Sequence, residues 1–202
     1  LEVLIGGLLS GVMYSFVALG FVLIYKASGV FNFAQGAMVF FAALTFVGIT
    51  EMGVPFGFAL ILAFGAMILL AIATERVVLR PLVNQPQITL FMATIGLTFL
   101  IEGLAQGMWG ASVRGLEIPG IQDEPLEWMM ENTGIGVSKF DLFAAGVSAI
   151  LVVVLAIFFN KTRVGRALRA VADDHQAALA IGIPLQDIWR IVWAVAGLVA
   201  LV

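Results

Sequence analysis

The chain has 202 residues, of which 62% are hydrophobic and only 11% charged, with a net charge of −3. A soluble domain runs nearer half apolar and a quarter charged, so this composition cannot cover a water-facing surface and belongs to a protein solvated by lipid. The lack of cysteine excludes disulfides, thiolate metal sites and a cysteine nucleophile, and a single histidine, His175, excludes a cluster of histidine ligands.

Charged residues cut the chain into uncharged blocks, and each block predicts an element. The first, 23 residues between Glu2 and Lys26, predicts a helical span over 3–25. It lacks a basic leader and is too long for the apolar core of a signal peptide. The second, 24 residues between Lys26 and Glu51, predicts a span over 33–50. It opens on Asn32-Phe-Ala-Gln35-Gly36, where Asn32 is placed to cap the helix start and Gln35 falls in the first turn. A gate or pore-lining role is the alternative for both. The third block, 23 residues between Glu51 and Glu75, predicts a span over 55–74, followed by a connection over 75–87 that holds Glu75, Arg76, Arg80, Pro81 and Pro86.

The fourth block, 21 residues between Arg80 and Glu102, predicts a span over 88–109 that carries a carboxylate into the membrane. A central charge costs roughly 2.5–3.5 kcal/mol on insertion scales, against about −0.3 to −0.6 for each strong apolar residue, so the span survives Glu102. That side chain then faces the bundle interior, a partner or the outer interface. Thr94, Thr98 and Gln106 lie near the same helix face, and the four residues form a candidate pore-lining stripe. The connection 110–140 holds five acids: Glu117, Asp123, Glu124, Glu127 and Glu131. The fifth block, 19 residues between Asp141 and Lys161, predicts a span over 141–160. A sixth apolar run begins near Ile188 and is cut off at Val202.

Blocks of about 20 apolar residues match the length a helix needs to cross the hydrocarbon core, and they lack the strict alternation of lipid-spanning strands. The expected fold is therefore all-α: a polytopic transmembrane helix bundle of five full spans plus a truncated sixth. It forms one domain over 1–202 and reads as a fragment of a longer protein, since the chain starts at Leu1 and stops inside an apolar run. Gly7 with Gly11, and Gly103 with Gly107, have the spacing of a close-packing helix face. Ordinary packing and helices that slide during transport both use that spacing. With alternating spans, one side holds eight of the ten Lys and Arg residues (Lys26, Arg76, Arg80, Lys161, Arg163, Arg166, Arg169, Arg190) and the other holds Arg114 and Lys139. The positive-inside rule places the eight in the cytoplasm, and Leu1 and the acidic 110–140 loop outside.

The basic loop 161–187 reads as two short helices. Arg163, Arg166 and Arg169 recur at helical spacing, and positive-inside anchoring alone accounts for them. Asp173 or Asp174 then caps a second helix that stops at Gly182, with Pro184 beyond. Between them Ala177, Ala178 and Ile181 make a small, smooth face on which another protein could dock. The candidate coupling segment comprises Asp173, Asp174, Gln176, Ala177, Ala178, Ile181 and Gly182.

Several separated motifs, in order, resemble the permeases of branched-chain amino acid ABC importers. They are Gly11-Val-Met-Tyr14 with Ala18-Leu-Gly20, Tyr25 through Gly36, Glu75-Arg76 with Leu79-Arg80-Pro81-Leu82, Ala93-Thr-Ile-Gly-Leu97, and Gly165-Arg-Ala-Leu-Arg-Ala170 through Gly182. The resemblance implies a bacterial inner-membrane subunit that forms the translocation path with a second permease. It also implies a periplasmic solute-binding protein at the outer face and two cytoplasmic ABC ATPase subunits gripping the 173–182 loop. The general importer loop reads Glu-Ala-Ala, three residues, Gly. Here Gln176-Ala177-Ala178, three residues, Gly182 stands instead, and the downstream Ile-x-Leu-Pro part is absent. No phosphate-binding Gly-rich loop occurs, so ATP is expected to be hydrolysed by partners, with no cofactor and no catalytic residue in this chain. Nucleic acid is not an expected partner. The alternatives are a permease for urea, short amides or another small solute, and a stand-alone channel or secondary transporter. A membrane enzyme would need paired buried carboxylates or a metal site that the sequence does not offer.

Overall fold

A computed structural model describes residues 1–29, 31–82, 85–115, 124–134, 136–174, 178 and 185–201. The apolar blocks are helices: α1 (Glu2–Ser28), α2 (Gln35–Glu51), α3 (Phe56–Ala73), α4 (Gln87–Trp109), the short α5 (Glu127–Thr133), α6 (Lys139–Lys161), α7 (Arg163–Asp173) and α8 (Leu185–Leu201). Among the described residues, β pairing is limited to one antiparallel bridge between Pro125 and Ser138. A helix satisfies its interior backbone amides within its own segment, where lipid offers no other partner. Four helical stretches are long and apolar enough to cross a membrane: Glu2–Ala27, Phe56–Leu82, Ile88–Trp109 and Lys139–Lys161. Gln35–Glu51 and Ile188–Leu201 are shorter apolar helices. At 17 residues, α2 is about 25 Å long against a hydrocarbon thickness of ~30 Å.

Local chemistry sets the ends. Ser138 accepts from the amides of Phe140 and Asp141 and starts α6, so the helix begins two residues before the expected span. Thr162 turns the chain at the end of α6 and caps α7 by accepting from Gly165 N–H at 3.2 Å. Asn32 does not sit at the N-cap itself. Its Oδ1 accepts from Ala34 N–H at 3.1 Å, fixing the turn before α2. The expected connection 75–87 is helical through Leu82 instead. α3 runs on through a π-helical turn over Thr74–Leu79 and a 3-10 turn over Arg80–Leu82. The five-residue step of the π turn brings Arg80 back onto Glu75, and that pairing lets charged residues extend an apolar helix.

α8 sits in the centre. It packs on α1, α2 and α3, and α2 also packs on α3 and α4. Trp193 is 1% exposed and joins Ile24, Met38, Met67 and Ala71 in the core. α3 turns Ala59, Ala63, Met67 and Ala71 inward at four-residue steps, each 0% exposed. Gly197 of α8 lies on that seam. A Cβ there would stand 3.0 Å from both the Met67 carbonyl oxygen and the Ala71 Cβ. Small residues thus bring two backbones close, the usual device where lipid supplies no hydrophobic drive between helices. The four-residue glycine pairs picked out by spacing are elsewhere. Beside Gly7, Gly11, Gly103 and Gly107 there is open space within this chain, and among helical glycines the close contacts fall on Gly20, Gly48, Gly165 and Gly197. α6 stands at the edge, packed on α1 and α7, with Ile150, Val153, Val154 and Ile157 facing outward.

Candidate functional site

The helices alternate in direction, and cross-helix contacts fix which ends lie together. At one end Trp189 Nε1 of α8 donates to the carbonyl of Ala27 at 2.9 Å. The Phe33 and Phe91 rings meet there at 4.8 Å. At the other end Trp109 Nε1 of α4 donates to Thr45 Oγ1 at 3.2 Å, and Arg114 pairs with Glu51. The first end collects Lys26, Arg76, Arg80 and the cations of α7.

Near that basic end lies a knot of buried polar groups. Asn32, Gln35 and Thr94 are each 0% exposed. Gln35 Nε2 donates to the Ala196 carbonyl of α8 at 3.3 Å, and Asn32 Nδ2 donates to Gln35 Oε1 at 3.4 Å. The Thr94 hydroxyl donates to the Phe91 carbonyl at 2.9 Å, with the Phe31 carbonyl 3.3 Å away. Gly20 makes room for the Gln35 amide, because a Cβ there would lie 2.6 Å from Nε2. These groups tie α2 and the turn before it to α4 and α8 by satisfied hydrogen bonds, the condition for tolerating polarity in an apolar interior. In this conformation they are enclosed within the chain.

The α4 stripe diverges along its length. Four residues advance an α-helix about 40° past a full turn, so Thr94, Thr98, Glu102 and Gln106 wind around the helix. Thr94 is buried, Thr98 and Glu102 are half-buried, and Gln106 is exposed. Thr98 Oγ1 spends its proton on the Thr94 carbonyl at 3.1 Å. The face of α4 turned inward is Leu90, Thr94, Leu97, Ile101 and Ala105. Only the first member of the stripe belongs to it.

At the basic end, α7 is amphipathic as expected. Gly165, Leu168 and Val171 are buried, while Arg163, Arg166 and Arg169 are exposed. Asp173 and Asp174 are exposed. Ala178 N–H donates to the Asp174 carbonyl at 3.0 Å, one helical turn on. Ala178 itself is 1% exposed and packs in the chain's own core. Gln176, Ala177, Ile181 and Gly182 lie outside the described residues.

Sequence reasoning left Glu75 and Arg80 in a connection. The structure makes them a built ion pair. The Glu75 side chain is 0% exposed and receives Arg80 Nη2 at 3.0 Å and Nε at 3.2 Å on Oε1, with Nη2 also 3.2 Å from Oε2. The available signal was an acid closing an apolar block with an arginine five residues on.

Apolar helices in alternating directions, with polar knots sealed inside and cations gathered at one end, define a polytopic α-helical membrane protein. Over residues 3–202 the sequence matches the family described as branched-chain amino acid transport system / permease component, and the chain belongs to that family. It is 26% identical over 195 aligned positions to the high-affinity branched-chain amino acid transport system permease protein LivH of Escherichia coli (strain K12), covering 91% of this chain and 62% of that protein. It is 25% identical over 214 positions to the permease protein BraD of Pseudomonas aeruginosa, covering 100% of this chain and 68% of BraD. The chain therefore spans somewhat less than two thirds of the length of LivH. No solved structure matches it.

Proposed function

We propose that this chain is part of the transmembrane permease of an ABC importer that carries branched-chain amino acids inward. The family match over residues 3–202 is the observation that carries this reading. It pairs with a second permease, receives substrate from a periplasmic solute-binding protein, and is driven by two cytoplasmic ATPase subunits. The basic end with α7 faces the cytoplasm of a bacterial inner membrane, in keeping with the eight-to-two division of Lys and Arg. The ATPases grip residues 173–182, where Asp173 and Asp174 are exposed and Ala178 anchors the segment to the core. The translocation path opens when the helices around Asn32, Gln35 and Thr94 tilt apart.

Two measurements test this. The full-length permease, with its partner permease and ATPases, is reconstituted in liposomes with the binding protein, and labelled leucine uptake is followed. ATP-dependent uptake is expected, and Ala177→Arg should abolish it while leaving membrane insertion intact. Uptake of urea or a short amide instead of leucine would reassign the substrate, and flux without ATPases would make the chain a channel. Because these residues include no cysteine, Arg163→Cys and Lys139→Cys report topology. An impermeant maleimide should label Lys139→Cys in spheroplasts, and Arg163→Cys only after lysis. The reverse pattern would invert the proposed orientation.

A further inference from the structure

On the outside of the bundle, α1, α6 and α7 enclose a groove of about 700 Å³, within the ~300–1,000 Å³ of ligand-sized pockets. Leu23 of α1 and Val152, Leu155 and Phe159 of α6 form apolar walls along it. At its mouth stand Lys26 at the end of α1 and Arg169 on α7, with Asn160 and Asp173 beside them. The geometry orders one of the two cations. Arg169 Nη1 donates to Asn160 Oδ1 at 3.3 Å and Nη2 to the Asn160 carbonyl at 3.4 Å, so the guanidinium is held over the groove by neutral groups. Ion pairs form at Glu75–Arg80, Glu51–Arg114 and Glu124–Lys139, and among the described residues neither Lys26 nor Arg169 has an acidic partner. Asp173 offsets one of the two charges at the mouth, leaving a net positive rim over an apolar trough.

We propose that this groove is a binding site for an anionic phospholipid, with one acyl chain along Leu23, Val152 and Leu155 and the headgroup phosphate between Lys26 and Arg169. The groove lies between two membrane helices, so lipid is its natural solvent, and the cations sit where those helices end and headgroups begin. A basic pocket between transmembrane helices at the headgroup level selects anionic lipid by this complementarity. A soluble phosphate would use the rim and leave the trough unexplained, so the two parts together single out a lipid.

The test uses the full-length permease in its assembled complex, purified in mild detergent from membranes containing phosphatidylglycerol and cardiolipin. Native mass spectrometry should show anionic phospholipid retained above its share of the membrane. Lys26→Gln and Arg169→Gln should each lower retention about fivefold, the effect of one cation near a headgroup, while Arg163→Gln, which does not line the groove, should leave it unchanged. A benzophenone side chain at Val152, with both cations intact, should crosslink to lipid. This readout does not depend on how the charge variants fold. No enrichment of anionic lipid in the wild type would overturn the proposal. So would release of the lipid by millimolar inorganic phosphate, or crosslinking of position 152 to another segment or subunit.

Discussion

Removing Arg80 should damage this protein far more than neutralising Glu75, although the two form one pair. The Glu75 side chain is 0% exposed and that of Arg80 is 28% exposed. Arg80→Ala strands a carboxylate with no route to water, and breaking a buried pair in this way costs about 3 kcal/mol or more. Glu75→Gln keeps an amide oxygen to accept from Arg80, and the arginine can extend toward headgroups or water, so the loss is about 1 kcal/mol. For 150–250 residues, 1 kcal/mol moves the midpoint by roughly 2–4 °C. Thermal unfolding of the purified protein in detergent, followed by static light scattering or tryptophan emission, should show Arg80→Ala lower by about 6–12 °C and Glu75→Gln by about 2–4 °C. The double replacement Glu75→Met/Arg80→Met removes both charges from the interior and should recover most of the loss, as apolar substitutes for buried pairs do. An Arg80→Ala midpoint within about 2 °C of wild type, or a Glu75→Gln loss as large as that of Arg80→Ala, would refute the argument.

Four other substitutions follow from close contacts and hydrogen bonds. Gly165→Ala drives a Cβ into the backbone carbonyl of Phe159 at the α6–α7 corner. It should block correct assembly, seen as loss of the monodisperse peak in fluorescence-detected size exclusion. Gly48→Ala pushes a methyl into the Trp109 ring and should cost about 1–3 kcal/mol by overpacking. A lowered melting midpoint and a shifted tryptophan emission would report it. Gln35→Leu removes the side-chain donor to the Ala196 carbonyl and leaves the Asn32 amide only the weak Met38 Sδ acceptor, and should cost about 2 kcal/mol. Thr98→Val, which loses only a bond to its own helix, should stay within about 0.5 kcal/mol. Equal melting midpoints for these two variants would count against the polar knot.

The length of the first, third, fourth and fifth uncharged blocks determined helices long enough to cross a membrane, because a lipid-spanning segment must satisfy its own backbone and needs little from the rest of the fold, whereas the second block of 24 residues gives a helix of only 17. The helix α7 was equally legible, since Arg163, Arg166 and Arg169 recur at helical spacing; the structure adds that Leu168 and Val171 form its buried side. Four polar residues on α4 were also visible, but not their fates. A drift of about 40° every four residues and the position of α2 together bury Thr94 and expose Gln106. Glycine spacing did not say which glycines pack within this chain, for a related reason. Whether a small residue is a contact depends on what stands opposite, and Gly197 meets Met67 of α3 while Gly103 meets open space. The charged residues after α3 read from sequence only as a connection, because a cluster of charges and prolines interrupts the apolar block. Only the three-dimensional return of Arg80 through a π turn makes Glu75 affordable at 0% exposure. Period and composition are local properties that each segment carries alone, whereas burial, pairing and close approach belong to two segments at once and exist only after the helices have met.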